Sequence, residues 1–171
     1  MHDADDAELE MLWHEWHRHV LAYALRRADP ATAEDVVAET FVIAWRRLEG
    51  IPDPPLPWLL GVARRVMANQ RRGERRRLAL VDRLRRVAPA EPHAGALQDG
   101  ATAAALARLS DRDREVLLLH AWEGLDHTDA GTVVGCSAAT FAVRLHRARR
   151  RFARELSRVD HPGAPTTEAA R

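Results

Sequence analysis

Arginine is the residue type best placed to do chemistry in this chain, and its distribution says which chemistry. All 26 basic side chains are arginine, for there is no lysine. Between Arg64 and Arg86, ten arginines are offset only by Glu74 and Asp82; between Arg144 and Arg158, seven are offset only by Glu155. The formal net charge is nevertheless just +1 over 171 residues, so the charges are segregated rather than in excess. GC-rich coding accounts for choosing arginine over lysine, but not for this clustering. The guanidinium is a permanently charged planar fork that matches phosphate geometry, so two separate basic segments predict two contacts with a polyanion.

In the first segment, Arg64, Arg65, Arg71, Arg72, Arg75 and Arg76 are expected to hold mainly phosphates. In the second, the residues from Ser137 to Arg150 mix two means of reading bases. Arginine can bind guanine O6 and N7 bidentately, and small apolar side chains can touch thymine methyls. Arg147, His146 and Arg150 are the candidate donors, beside Ala139, Ala142 and Val143. Arg144 and Arg149 lie nearer the flanks, and Thr140 with the amides near Ser137 can anchor the helix's positive end to the backbone.

Other chemistries fare worse. The run His14-Glu15-Trp16-His17-Arg18-His19 superficially resembles a zinc-protease helix, but Arg18 stands where the second histidine should be, so the spacing fails. His14 and His17 are read as a polar face beside a tryptophan stripe, and no metal is expected. Cys136, the single cysteine, has no partner for a disulfide and no basic neighbour in sequence to make it a reactive thiolate; it is read as a small buried residue. There is no glycine loop to cradle phosphates, no paired carboxylates in a strand-built pocket and no nucleophile motif. No catalytic residue, cofactor or enzymatic activity is expected.

The elements that must carry the arginines are helices. Leu9, Leu12, Trp13, Trp16, Val20 and Tyr23 recur at three- and four-residue steps, predicting a helix from about Glu8 to Arg27 that Asp29-Pro30 ends. Thr32, with Asp35 three residues on, is read as the cap of a second helix with the stripe Val37, Phe41, Ala44, Trp45 and Leu48, running to about Glu49. Gly50 to Pro57, with four prolines, is a loop. Trp58 restarts an apolar pattern through Leu59, Val62 and Val66 in a helix that grows steadily more basic; Trp58 is read as a core residue rather than a base-stacking one. From Val87 to Gly100 the periodicity lapses into Ala, Pro, Gly and His, the composition of a flexible linker. Leu106, Leu109, Val116, Leu117, Leu119 and Trp122 supply a second small core, and the Pro, Thr and Ala-rich tail is expected to be disordered. The class is all-α: two small helical domains, 8–86 and 103–158, joined by a linker at 87–102 and followed by a tail at 159–171.

The most specific segment is Gly124 to Arg151. Asp126 can cap a short helix reaching Val134, Gly135 can turn at positive φ, and Ser137 can cap the next helix. That helix would turn Phe141, Leu145, Ala148, Phe152 and Leu156 inward, leaving Ala139, Val143, His146 and Arg150 outward, flanked by Ala142 and Arg147. A helix so presented fits a major groove.

These residues carry a resemblance. The run Leu109 to Leu119, Gly124-Leu125, Val133 to Thr140 and Arg144 to Arg149 resembles region 4 of extracytoplasmic-function sigma factors, in the sigma-70 family of bacterial RNA polymerase. Ala33 to Phe41 followed by Ala44 to Leu48 resembles region 2.2, and Pro57 to Arg64 resembles the start of the promoter-binding helix that follows it. The two matches stand in the family's order, about a linker, and cover about Leu9 to Arg158. They imply a first domain that docks on the β′ clamp helices of core polymerase and engages the minus-ten element, and a second that engages the minus-thirty-five element. They also imply masking by an anti-sigma protein, which nothing in the sequence identifies. On the second helix, the candidate polymerase contacts are Asp35, Glu39, Val42 and Arg46, an apolar residue set among charges opposite the stripe. The chain departs from the family's usual residues at Ala38, Arg65, His127, Ala130-Gly131 and Ala142-Val143, and its 50–57 loop lacks the usual polar stretch, so promoter sequence does not carry over.

Two other classes compete. A plain helix-turn-helix repressor or activator would account for Gly124 to Arg151 but leaves the first basic helix and residues 33–49 without a role; dependence on core polymerase separates the two. An enzyme is the weaker rival. No stretch approaches the roughly 20 apolar residues of a membrane span, and the acidic opening Asp3, Asp5, Asp6, Glu8 and Glu10 is unlike a signal peptide. A cytoplasmic protein with no membrane partner is expected.

Overall fold

A computed structural model describes residues 2–82 and 100–160. Among them are seven α-helices, one short 3-10 turn and no strand, and the helices divide into two compact units. The first contains α1 (His2–Leu25), α2 (Pro30–Trp45) and α3 (Leu56–Asp82), each packed on the other two. The second is built on α4 (Gly100–Ala107) and α5 (Asp111–Ala121), both packed on α7 (Ala138–Asp160); α6 (His127–Val134) precedes α7 in the chain.

Buried Val20, Tyr23 and Ala24 from α1, Ala33, Val36, Val37, Phe41 and Ala44 from α2, and Leu59, Val62, Ala63 and Val66 from α3 form the core residues of the first unit. Trp13 stays partly exposed, its ring meeting the Phe41 ring edge-on at 4.7 Å. Thr40 enters the buried face because its Oγ1 donates to the Val36 carbonyl at 2.7 Å, which removes the cost of burying a hydroxyl.

Several boundaries and side chains depart from the sequence expectations. Helix α1 begins at His2 rather than Glu8 and ends at Leu25. Asp29, not Thr32, caps α2: its carboxylate accepts from the Thr32 amide at 3.1 Å and the Thr32 hydroxyl at 2.7 Å, with Pro30 in the first turn, where a missing N–H costs nothing. The second helix stops at Trp45, and Leu48 lies in a 3-10 turn, Leu48–Gly50. Helix α3 starts at Leu56, so Pro57 is in its first turn rather than in the loop. Trp45, expected in the core stripe, is 49% exposed, and Trp122, expected in the second core, is 42% exposed. Of the expected linker, 87–99 lies outside the described residues, while 100–102 belong to α4. The expected tail begins inside α7 at Val159 and Asp160, and 161–171 lie outside the described residues.

In the second unit, Leu106, Leu109, Val116, Leu117, Leu119, Phe141, Leu145 and Ala148 are buried. Two polar devices fix the turn from α4 into α5. Arg114 donates to three carbonyls at the end of α4: from Nε to Leu106 at 3.0 Å, and from Nη2 to Ala107 and Leu109, each at 3.2 Å. Ser110 caps α5, its Oγ accepting from the Asp113 amide and donating to the Asp113 carboxylate at 2.9 Å. That carboxylate is buried and accepts from Arg151 of α7 at 2.6 Å, so one acid ties the start of α5 to the last helix. Asp113→Ala is expected to lower the stability of this unit by about 2 kcal/mol: it removes a charge-assisted bond and strands the Arg151 guanidinium, itself half exposed and partly rescued by water. Thermal unfolding of the variant checks this.

Candidate nucleic-acid interface

Helix α7 enters the site through a tightly specified turn. Asp126 Oδ1 accepts from the Thr128 and Asp129 amides, both at 2.8 Å, starting α6 as its sequence predicts. Gly135 adopts φ +74°, and the Cys136 amide donates back to the Gly131 carbonyl at 2.9 Å, closing the helix end. Ser137 then caps α7, accepting from the Thr140 amide at 3.2 Å and donating to the Thr140 hydroxyl at 2.9 Å. A Cβ at Gly135 would meet no atom within 4 Å, so Gly135→Ala carries only left-handed backbone strain. The expected cost is about 1–2 kcal/mol, measured as a lowered unfolding midpoint. Cys136, expected to be buried, is half-buried.

The inward side of α7 is as expected: Phe141, Leu145 and Ala148 are buried, and Phe152 and Leu156 are half-buried. On the solvent side Ala139, Thr140, Val143, His146, Arg147, Arg149 and Arg150 are exposed, with Val143 at 51%; Ala142 and Arg144 are half-buried. Leu125 is buried ahead of α6, and the His127 ring lies 6.0 Å from Phe141 and 5.8 Å from His120. Burial, and secondarily the Asp126 charge, raises the Asp129 carboxyl from its ordinary value. The stability it contributes is therefore present while it is protonated, and is lost as pH rises from the ordinary carboxylate pKa through the raised one.

In the first unit, Arg65, Arg72, Arg75 and Arg76 are exposed along α3, and Arg64 is half-buried. Arg71, although exposed, donates from Nη2 to the Arg27 carbonyl at 2.8 Å, so part of its fork braces the end of α1. Arg72 is bonded to Asn69 one turn earlier. The Arg27 guanidinium stacks 3.6 Å from the Tyr23 ring centroid. Asp35, Glu39 and Val42 on α2 and Arg46 at its C-cap are all exposed, Val42 at 44%. Trp45 joins them, three residues after Val42 and therefore on an adjoining part of the surface. Its apolar character had assigned it to the core, and only its exposure marks it as surface.

The histidines of α1 form no metal constellation among the described residues. His17 donates through Nδ1 to the Trp13 carbonyl at 2.8 Å and stacks on the Trp13 ring at 5.1 Å, while His14 lies 3.7 Å from Glu10. No helix among the described residues is long and apolar enough to cross a membrane.

Two helical units, each exposing an arginine-bearing helix and one of them entered through a capped helix-turn-helix, define a two-part DNA-binding protein. Residues 12–77 match the family described as Sigma-70 region 2, and residues 100–152 match Sigma-70, region 4. Over 157 residues the chain is 36% identical to the ECF RNA polymerase sigma factor SigL of Mycobacterium tuberculosis, covering 86% of this chain and 88% of that protein. Among solved structures it is similar to the sigma factor RpoE in complex with the anti-sigma factor NepR from Bartonella quintana, with a TM-score of 0.68 and 25% identity over 86% of this chain and 96% of that one. It is also similar to CnrH, solved in complex with the cytosolic domain of CnrY, with a TM-score of 0.57 and 25% identity over 87% of each chain. The chain belongs to the sigma-70 family of RNA polymerase sigma factors, in its extracytoplasmic-function group. It directs promoter-specific initiation of transcription, the regulatory and non-catalytic task of that family.

Proposed function

We propose that the first unit carries both the polymerase contact and the minus-ten contact, and that α7 reads the minus-thirty-five element. The observation that carries this reading is the pairing, in one chain, of an exposed mixed apolar and charged face on α2 with two arginine helices. A plain repressor needs only the second of those helices, α7. On α2, Asp35, Glu39, Val42 and Arg46 dock on the β′ clamp helices of core polymerase, and exposed Trp45 extends the apolar part of that surface. On α3, Arg64, Arg65, Arg71, Arg72, Arg75 and Arg76 hold the phosphates of the minus-ten region. On α7, Arg147 reads a base, Ala139, Ala142, Val143, His146 and Arg150 line the groove, and Ser137, Thr140, Arg144 and Arg149 hold the backbone. We assign the two domains to the described segments 2–82 and 100–160, and infer a protein that acts in the cytoplasm, without catalysis of its own. An anti-sigma protein, as bound by the Bartonella relative, is the proposed regulator.

The deciding experiment is transcription in vitro with core polymerase on a randomised promoter library. A sigma factor yields enriched promoters only when core and chain are both present, whereas a repressor binds its sites without core. Within that assay, the double variant Asp35→Arg, Glu39→Arg is expected to weaken core affinity by about tenfold or more, since like charges brought together at an interface are costly. Its far-UV circular dichroism should be unchanged, both residues being exposed. Unaltered core affinity would sink the α2 assignment.

A further inference from the structure

The arginines of α7 extend well past the part of the helix that one groove can hold. At 1.5 Å per residue the 23 residues of α7 are about 34 Å long, against a major groove roughly 12 Å wide. Arg147, Arg151, Arg154 and Arg158 follow one another at four-, three- and four-residue steps, so they form a single stripe along the C-terminal half of the helix. The C-terminal half of that stripe borders a cleft of ≈ 230 Å³ between α7 and the turn from α4 into α5, lined by Arg108, Leu109, Ser110, Asp113, Arg151, Arg154, Glu155 and Arg158. Arg151 and Arg154 also line a shallower concavity of ≈ 520 Å³ with Arg147 and Arg150.

The cleft holds four guanidiniums against two carboxylates. Asp113 is taken by Arg151 at 2.6 Å and Glu155 by Arg158 at 2.8 Å. Arg108 reaches Glu155 only at 3.9 Å, with its side chain 57% exposed, and Arg154 pairs with no carboxylate among the described residues. The cleft therefore carries two more positive than negative charges among the described residues, with Arg154 outside every ion pair and Arg108 sharing Glu155 only at long range. The pairs already made hold Arg151 to Asp113 and Arg158 to Glu155, so part of the entropy of ordering them is spent before any ligand arrives.

We infer that this cleft is a phosphate-binding site, with Arg108 and Arg154 as the principal ligands and Arg151 and Arg158 as flanking donors. Guanidinium forks lining one cleft from two parts of the fold suit a tetrahedral dianion better than they suit a neutral group. The cleft is too small for a duplex, so it receives one phosphate group or a diphosphate. Two sources present that chemistry: a phosphate of the DNA backbone flanking the bound groove, reached along the arginine stripe, or the terminal phosphates of a free small molecule. The first source rests on the docking of α7 proposed above; the second does not.

The full chain and the double variant Arg108→Ala, Arg154→Ala test it. Both residues are exposed, so the variant should keep its circular dichroism and unfolding midpoint. Inorganic pyrophosphate is titrated calorimetrically, and promoter binding is measured against salt. If the source is a free molecule, pyrophosphate binds with a dissociation constant of about 1 mM or tighter, and the variant weakens it about tenfold or more, while Arg147→Ala leaves it unchanged. If the source is DNA, the variant reduces the salt slope of promoter binding by about 1 for each phosphate that is no longer neutralised and leaves base preference unaltered. Arg154→Lys should recover part of either effect, because it restores charge without the fork. A variant that changes neither pyrophosphate affinity nor the salt slope overturns the proposal. Loss of DNA binding by Arg147→Ala with no effect of the double variant does so too, while leaving the proposed groove contact intact.

Discussion

Replacing Arg71, Arg72, Arg75 and Arg76 together with alanine is expected to cost about 4 kcal/mol of promoter affinity, if each exposed charged side chain contributes roughly 1 kcal/mol. Salt dependence gives the cleaner signature. With about six phosphates neutralised by α3, the log of affinity should fall against log salt with a slope near −5, and neutralising only two of them should flatten it to about −2. The tertiary structure gives Arg71 a second role. It also braces the Arg27 carbonyl, so its removal loosens the packing of α3 on the end of α1 as well as removing a charge. The triple variant that spares Arg71 separates the two effects: it should keep the wild-type unfolding midpoint and still lose about half of the slope, which falls to about −3. Promoter opening undiminished in the fourfold variant would reject the role of α3 at the minus-ten element.

Arg147→Ala is expected to cost about 1–3 kcal/mol of binding at the preferred sequence and to relax preference at one base position. Arg147 is exposed midway along the outward face of α7, with Val143 one turn before it and Arg150 one turn after, so its fork can reach a base edge while its neighbours touch the groove walls. Arg149→Ala, on the flank, should weaken every sequence alike. A promoter library scored with both variants distinguishes the roles. Equal loss at all sites on replacing Arg147 would mean that this residue holds a phosphate and that the base contact lies elsewhere on the helix.

Local rules made much of this protein legible. Capping and turn chemistry act over three or four residues, which is why Asp126, Gly135 and Ser137 stand in the roles their types predict. The same rules mislead at the start of α2: they predict Thr32 as its cap and Asp29-Pro30 only as the end of α1, whereas the Asp29 carboxylate serves the Thr32 amide and hydroxyl at once while Pro30 fills the first turn. Apolar periodicity located the helices but not the rotation of each about its axis. In α2, Thr40 hides its hydroxyl on the Val36 carbonyl and so takes a core position, which turns the buried face away from Trp45. At Trp122 the helix has reached its C-cap, and a repeat carries no information once the backbone leaves the helix.

The sequence by itself determined the all-α class, the helix-turn-helix and the segregation of arginine into two stretches, because each depends on residues close along the chain. Which arginines are free to meet a ligand was decided only by tertiary structure. Arg114 is spent on the end of α4, and part of Arg151 on Asp113 and of Arg71 on the end of α1, through partners 5 to 44 residues away. Arg154, in the same basic run as Arg151, pairs with no carboxylate among the described residues. A guanidinium's availability is set by what the folded chain places beside it, and sequence spacing does not contain that.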